Sequence, residues 1–240
     1  PTMTIYLNRA ILLGLLAFAS LPAHALEPFV ATYQAYYKGK LAGNAKMQVV
    51  QTNEDHWRVD LGIRGNRGFA GLLGLNIEQS TVFDTPGPLY RPLSQGTVKH
   101  AVFTGKKTSG VFDWSALIAR WKGDLKKNRL EPVPLHEGDM TALLMNLAVI
   151  RDAEPGKELA YRVVEQGRAR DYRYAVASET ETVPVDDMSY DAMRVHRTNG
   201  GNDETIFWVA SGVPTPIRIL QREDGQDSVD LRLVEYQGVQ

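Results

Sequence analysis

Acidic side chains cluster between residues 179 and 191, where the chain has the residue types that general acid–base chemistry needs. The members of this acidic cluster are Glu179, Glu181, Asp186, Asp187 and Asp191. Two carboxyl groups in a cleft can act as general acid and base, and several together can bind a cation. Charged residues around a turn are also typical of a solvated hairpin. The pattern favours the hairpin and leaves a carboxylate pair such as Asp186 and Glu181 as the catalytic alternative.

Other catalytic motifs are incomplete in this sequence. His136 and Glu137 begin like a zinc-protease motif, but Met140 stands where the second histidine would be. Residues 92–96 lack the first glycine of a serine-hydrolase elbow, and neither a Walker loop nor a dinucleotide fingerprint occurs. The absence of cysteine excludes thiol nucleophiles, Cys-type zinc sites and disulfides. We therefore expect no metal, no cofactor and, on balance, no enzymatic activity.

Basic residues lie near two tryptophans in the middle of the chain. Lysines at 106–107 and basic residues over 122–129 are close in sequence to Trp114 and Trp121. Tryptophan beside lysine is typical of a membrane interface, so this region could contact anionic head groups, although a solvated turn is the simpler interpretation. The net charge of −1 argues against a nucleic-acid partner, which would select a clear basic excess.

Short runs of alternating residues, separated by Gly, Pro, Asn and Asp, make up most of the chain. They predict antiparallel strands over 29–37, 44–52 and 57–63, each with one buried face. Runs over 97–103 and 109–114 predict a hairpin whose turn contains residues 105–107. We expect about eleven strands in all, and a single sheet of this size tends to curl or close.

One segment has helical periodicity and is apolar on most sides. Asp139 is a suitable N-cap, apolar residues recur from Met140 to Ile150, and Pro155 ends the segment. Such a helix has to be buried. The sequence therefore predicts a mainly β fold, a strongly curved antiparallel sheet (a half-barrel or open barrel) wrapped on one buried helix near 139–152.

Glycines interrupt an apolar segment over residues 65–74. Gly65, Gly68, Gly71 and Gly74 alternate with large apolar residues that would be costly to expose. The simpler interpretation is a packed connection with one helical turn, since most such loops pack against their own domain. The alternative is a mobile flap whose apolar residues cover a cavity.

The N-terminal segment has the layout of a secretory signal peptide. Arg9 precedes an apolar run over residues 10–21, and Ala23-His24-Ala25 follows it. We expect cleavage after Ala25, which leaves one β-rich domain over 26–240 without a stable membrane span. The working protein then lies outside the cytoplasm.

Several segments resemble the bacterial family catalogued as domain of unknown function 3108. They are residues 182–184, 190–195, 207–209 and 214–219, with support from 33–43 and from the helical segment 139–151. The resemblance implies a periplasmic protein of a Gram-negative bacterium without assigned chemistry. The expected shape is also similar to half-barrel lipoprotein-localisation carriers, which hold acyl chains between a curved sheet and helices. Likeness of architecture implies a fold more than a function.

These observations predict that the chain is a non-enzymatic envelope protein. It would bind an apolar or lipid-like ligand, or an envelope partner, in the concave face of the sheet. Ordinary core packing is the alternative role for each residue that we expect to line such a site. The candidate lining residues are Phe69, Leu72, Leu73, Met140, Leu144 and Leu147. Two other hypotheses stay open: a periplasmic hydrolase with a carboxylate pair, and an envelope-assembly scaffold with an exposed apolar patch.

Overall fold

The computed structural model describes residues 25–239. Residues 1–24 of the segment interpreted as a signal peptide lie outside this range. Fourteen strands form one antiparallel sheet in the order β8-β7-β6-β5-β4-β3-β2-β1-β14-β13-β12-β11-β10-β9. The strands are β1 Phe29–Tyr37, β2 Lys40–Gln51, β3 His56–Gly65, β4 Asn76–Asp84, β5 Arg91–Ala101, β6 Thr104–Asp113, β7 Ile118–Gly123, β8 Val133–Pro134, β9 Glu158–Glu165, β10 Arg168–Val185, β11 Met188–Arg197, β12 Glu204–Ala210, β13 Arg218–Glu223 and β14 Gln226–Gly238. Helices α1 (Gly68–Leu72) and α2 (Ala142–Asp152) and a 3-10 turn at Lys127–Arg129 complete the described fold.

Alternation of side chains gives the sheet one core face and one outer face. In β1, Phe29, Ala31, Tyr33 and Ala35 are buried, and in β2 their partners across the pair continue the same apolar face. This periodicity confirms the mainly β prediction, because successive residues of a strand point to opposite faces. The core face curves around α2, and the whole sheet is nearly closed into a barrel.

The two edge strands approach each other through the segment that precedes α2. The backbone of Met140 accepts a hydrogen bond from the N–H of Val164 (2.8 Å) and donates one to the carbonyl of Arg162 (3.1 Å). Further along this seam, the side-chain amide of Gln166 donates to the hydroxyl of Thr108 at 2.9 Å. These contacts satisfy backbone groups that an open sheet edge would leave unpaired.

Helix α2 is buried, as its apolar sequence predicts, but its N-cap is not Asp139. Thr141 caps the helix, and its hydroxyl accepts from the N–H of Leu144 at 3.2 Å. The Asp139 carboxylate instead accepts from the N–H of His136 at 2.7 Å and pairs with Arg162. The predicted cap was wrong because Asp139 lies two residues too early and its carboxylate is used by the preceding loop and by β9.

The strand count and two strand boundaries also differ from the sequence prediction. The sheet has fourteen strands rather than eleven, partly because two-residue β8 counts as a strand. The alternating pattern also predicts two shorter strands over 169–176 and 180–184, but residues 168–185 form one 18-residue strand. The β5–β6 turn consists of Val102 and Phe103 instead of residues 105–107, since Lys106 pairs with Lys99 inside the ladder.

The tryptophans of the middle segment pack inside the protein. Trp121 is 3% exposed, belongs to a second core with Phe112, Val133 and Leu135, and donates to the amide oxygen of Gln95. Half-buried Trp114 donates to the carbonyl of Pro92 at 2.7 Å. Neither ring is placed beside the lysines at an interface, so the expected tryptophan–lysine surface is not formed. Among residues 25–239, no helix is long and apolar enough to span a bilayer.

Candidate functional site

A groove of about 980 Å³ lies over strands β1–β5, on the face of the sheet opposite the core. Most of its lining comes from side chains that point away from the core, together with Val234 from β14. Antiparallel partners lie directly opposite each other, so these side chains form rows that run across the strands.

The central row crosses five strands in register. Thr32 of β1 pairs with Lys46, Lys46 with Gly62, Gly62 with Glu78, and Glu78 with Val98 of β5. Adjacent strands are about 4.8 Å apart, so Lys46 and Glu78 flank Gly62 with backbone positions separated by about 10 Å. A cation and an anion therefore face each other across a position that has no side chain.

Asp60 organises the neighbouring row. Its carboxylate accepts from the hydroxyl of Ser80 at 2.6 Å, from the side-chain amide of Gln48 at 3.1 Å and from Arg58 at 2.9 Å. Such charge-assisted hydrogen bonds are stronger and more directional than neutral ones. They hold the side chains of three neighbouring strands in fixed positions along one wall of the groove.

Two glycines keep the floor of the groove low. A Cβ atom added to Gly62 or to Gly96 would have no heavy atom within 4 Å. Neither residue has a positive φ, so the backbone itself does not require glycine at these positions. Glycine inside a strand weakens it, and it is often found where another molecule or chain approaches the backbone closely.

Three charged side chains at the groove are available to a ligand. Lys46, Arg64 and Glu78 are exposed, and within the described part of the chain none of them has an ion-pair partner within 4.0 Å. The apolar residues of the lining include Val98 and Val234. The arrangement can bind a molecule that has charged or hydrogen-bonding groups along one side and a short apolar part.

Four of the six residues that the sequence proposed as ligand-lining lie away from this groove. Met140, Leu144 and Leu147 are buried in the main core, and half-buried Leu73 lies in the loop after α1. None of these four lines the groove. Phe69 and Leu72 contribute backbone to α1, and their side chains lie outside the described atoms.

The acidic cluster lies on a solvated hairpin. Glu179, Glu181, Asp186, Asp187 and Asp191 are all exposed, with the two consecutive aspartates in the turn between β10 and β11. Glu181 accepts a hydrogen bond from the indole N–H of Trp208. The inward-facing pair required for the hydrolase hypothesis is not formed by Asp186 and Glu181. Within residues 25–239, no three His, Asp or Glu side chains are grouped so that they could hold a metal ion.

Sequence reasoning predicted that the strands over 29–37, 44–52 and 57–63 each have one buried face, but it did not identify the site on their other face. The available signal was the pair of isolated glycines at 62 and 96, the first inside the predicted strand over 57–63 and the second directly before the run over 97–103. Alternation does not show which outer residues face each other, because that depends on the register of five strands.

The fold is similar to that of a β-barrel-like protein of domain of unknown function DUF1849 from Brucella abortus. That crystal structure matches with a TM-score of 0.54 and 12% identity over 89% of this chain and 98% of the other. A DUF1089 family protein from Pseudomonas aeruginosa matches with a TM-score of 0.38 and 11% identity over 72% of this chain and 87% of its own. A protein with a YmcC-like fold from Bacteroides fragilis matches with a TM-score of 0.29 and 12% identity, covering 88% and 96% of the two chains. No curated protein matches the chain.

The family model described as a protein of unknown function, DUF3108, matches residues 32–232. This range begins inside β1 and ends inside β14, so it includes the groove strands, α2 and the seam. The resemblance seen in the sequence is therefore confirmed, and the chain belongs to the DUF3108 family of proteins of unknown function.

Proposed function

We propose that this protein is an exported, non-enzymatic binding protein of the bacterial envelope, which holds a polar or amphipathic ligand in the groove over β1–β5. The observation that carries the proposal is the open groove of about 980 Å³ above Gly62 and Gly96. Ligand sites are concave and place a few polar groups around an accessible volume. Fixed side chains around a low floor fit that description.

The core side of the sheet is less suited to a ligand. Helix α2 fills it, with Leu143 to Val149 all buried and continuous with the core residues of the strands. Protein interiors are packed as densely as organic crystals, so a ligand there would have to displace side chains. This packing favours the outer groove. The proposal therefore replaces the expected apolar or lipid-like ligand on the concave face with a polar or amphipathic ligand on the outer face.

The charges of the groove indicate which ligand groups would bind. Lys46 and Arg64 can bind an anionic group, while Glu78 can accept hydrogen bonds from a cationic or hydroxyl group. Val98 and Val234 can contact a short apolar part. A molecule carrying these groups over about 10 Å would match the spacing of Lys46 and Glu78.

Export and the absence of catalysis are the other parts of the proposal. Export is supported by the apolar run over residues 10–21 and the Ala23-His24-Ala25 sequence that follows it. A non-enzymatic role is supported by the exposure of the acidic cluster and by the incomplete catalytic motifs.

The test is native mass spectrometry of the protein recovered from the periplasmic fraction of the bacterium. We expect recovery in that fraction, with a population heavier than the polypeptide by the mass of one ligand.

Gly62→Val should reduce that population about tenfold, which corresponds to about 1.4 kcal/mol of binding free energy. The valine occupies the floor of the groove, yet its β-branched side chain suits a strand and should keep or raise the unfolding midpoint.

The matched control is Ser94→Val. Ser94 lies on β5, two residues from Gly96, and does not line the groove. This variant adds similar bulk to the same sheet and should retain the ligand. Bare polypeptide in the parent protein, or equal ligand loss in Gly62→Val and Ser94→Val, would contradict the proposed groove site.

A further inference from the structure

An apolar turn projects from the end of the β5–β6 hairpin. Val102 and Phe103 form this two-residue turn and are 58% and 92% exposed. Two-residue hairpin turns usually contain Asn, Asp or Gly, so the geometry of the turn does not call for two large apolar residues. Exposing Phe103 in water gives up the stabilisation that its burial would provide.

The turn is held against the loop after α1. The backbone N–H of Val102 donates to the carbonyl of Leu73 at 2.8 Å. Leu75, in the same loop, is 38% exposed. We call Val102, Phe103 and Leu75 the apolar tip. Its residues come from two connections at one end of the barrel, and the hydrogen bond fixes their relative position.

Lysines lie directly behind the apolar tip. Lys99 pairs with Lys106 across the hairpin, and Lys107 follows at the next position. All three are exposed. At about 3.4 Å per strand residue, Lys99 and Lys106 lie about 10 Å from the turn and Lys107 about 14 Å. Like charges placed directly opposite on paired strands destabilise a sheet. The pairing of Lys99 with Lys106 therefore does not itself stabilise the hairpin.

The positive charge extends beyond the hairpin into its neighbours. Residues 97–129 contain eight Lys or Arg residues and two Asp residues, whereas the whole chain has a net charge of −1. One of the two aspartates, Asp124, accepts from the backbone N–H of Lys107. The strands next to the apolar tip thus concentrate positive charge in a protein that is otherwise acidic.

We propose that the apolar tip inserts into the surface of an anionic phospholipid membrane, with Lys99, Lys106 and Lys107 contacting lipid phosphates. A projecting aromatic residue surrounded by lysines combines the two contributions that hold proteins at such surfaces, apolar burial and attraction to anionic lipid. The positive charge of the lysines favours an anionic surface, and the projecting shape of the apolar tip suits insertion between head groups. This inference does not rest on the groove, because the two regions use different residues.

Vesicle co-sedimentation tests the inference with the full chain and phosphatidylglycerol–phosphatidylcholine vesicles. We expect the double variant Val102→Ser/Phe103→Ser to bind about tenfold more weakly than the parent, since burial of such side chains contributes a few kcal/mol at most. Val111→Ser is the matched control, because Val111 is 59% exposed on β6 away from the turn. It should bind like the parent.

The charge contribution has its own pair of variants. Lys106→Ser should weaken binding about fivefold, as one basic residue contributes about 1 kcal/mol at an anionic surface. Lys157→Ser removes an exposed lysine that precedes β9, at the other end of the barrel, and should have no effect. Vesicles of phosphatidylcholine alone, or a high salt concentration, should abolish most of the binding.

Fluorescence gives an independent readout of insertion. Phe103→Trp should show a blue-shifted emission when anionic vesicles are added, while Val111→Trp should not. The inference is overturned if the parent does not bind these vesicles, or if the apolar-tip variants bind as well as Val111→Ser. In either case the groove proposal would be unaffected.

Discussion

Glu165, the last residue of β9, places a carboxyl group beside the first turn of α2. Burial raises the pKa of Glu165 to about 7, although the backbone N–H of Ala142 and the charge of Lys99 act in the opposite direction. Removal from water disfavours the ionised form of a carboxyl group. Glu165 therefore changes its charge near neutral pH, whereas in the unfolded chain it would ionise near 4.5.

This raised pKa makes one contribution to stability depend on pH. Between pH 4.5 and 7 the folded protein binds more protons at Glu165 than the unfolded chain does, so this contribution decreases as the pH rises. We expect Glu165→Gln to lose this dependence. The free energy of unfolding of the variant, minus that of the parent, should increase across this interval in urea titrations.

Glu158→Gln is the control, since Glu158 is an exposed carboxylate at the other end of β9. Parallel stability–pH curves for Glu165→Gln and the parent protein would show that Glu165 ionises alike in both states. That result would contradict the burial of its carboxyl group at the start of α2.

At the scale of one element, α2 depends on a hydroxyl group at its N-terminus. Thr141 is fully buried, caps the helix through Leu144, and forms a second hydrogen bond with the hydroxyl of Thr81 on β4 at 2.9 Å. The same side chain therefore satisfies the helix end and attaches it to the sheet. The helix is not amphipathic, because its apolar residues are not confined to one stripe opposite a polar face. Packing and this cap therefore position it together.

Thr141→Val tests the cap with a side chain of nearly the same shape. We expect a loss of about 2 kcal/mol in the free energy of unfolding, because the N–H of Leu144 and the hydroxyl of Thr81 both lose a buried partner. Thr141→Ser retains the hydroxyl and should cost less. Urea denaturation measures both variants, and a larger loss in Thr141→Ser than in Thr141→Val would assign the effect to packing of the methyl group instead.

At the scale of the whole molecule, closure of the barrel depends on a close contact across the seam. Gly167, in the β9–β10 turn, lies so near the 3-10 turn that an added Cβ would be 1.9 Å from the carbonyl oxygen of Arg129. Gly225 has a similar backbone, with φ of +75° against +72°, but an added Cβ there meets nothing within 4 Å. The two glycines differ in location, because Gly167 lies at the seam and Gly225 does not.

Gly167→Ala and Gly225→Ala therefore form a matched pair. Both variants place alanine at positive φ, which costs about 1 kcal/mol each. We expect Gly167→Ala to lower the thermal midpoint further, because Arg129 or the turn has to move, and to speed hydrogen exchange at the amide of Val164. Equal effects of the two substitutions would show that the seam contributes little to stability.

The sequence by itself determined which residues can be buried and what kind of fold they form. Period-two alternation assigns each strand residue to one of two faces, and an apolar helix has to be enclosed, so the curved sheet around α2 followed from local patterns. These patterns also indicated the family. They did not locate the cap at Thr141 or the turn at Val102 and Phe103, because Asp139 and Gly105 carry equally good local signals.

The tertiary structure alone decided which residues meet. Thr32 and Val98 belong to one row of the groove although 66 positions separate them, because four strand pairings are in register. Alternation fixes the face of a residue but not its partner, and a shift in one strand would rearrange the whole row. The groove, the seam and the lysines behind the apolar tip are products of that register, which arises from contacts between distant parts of the chain.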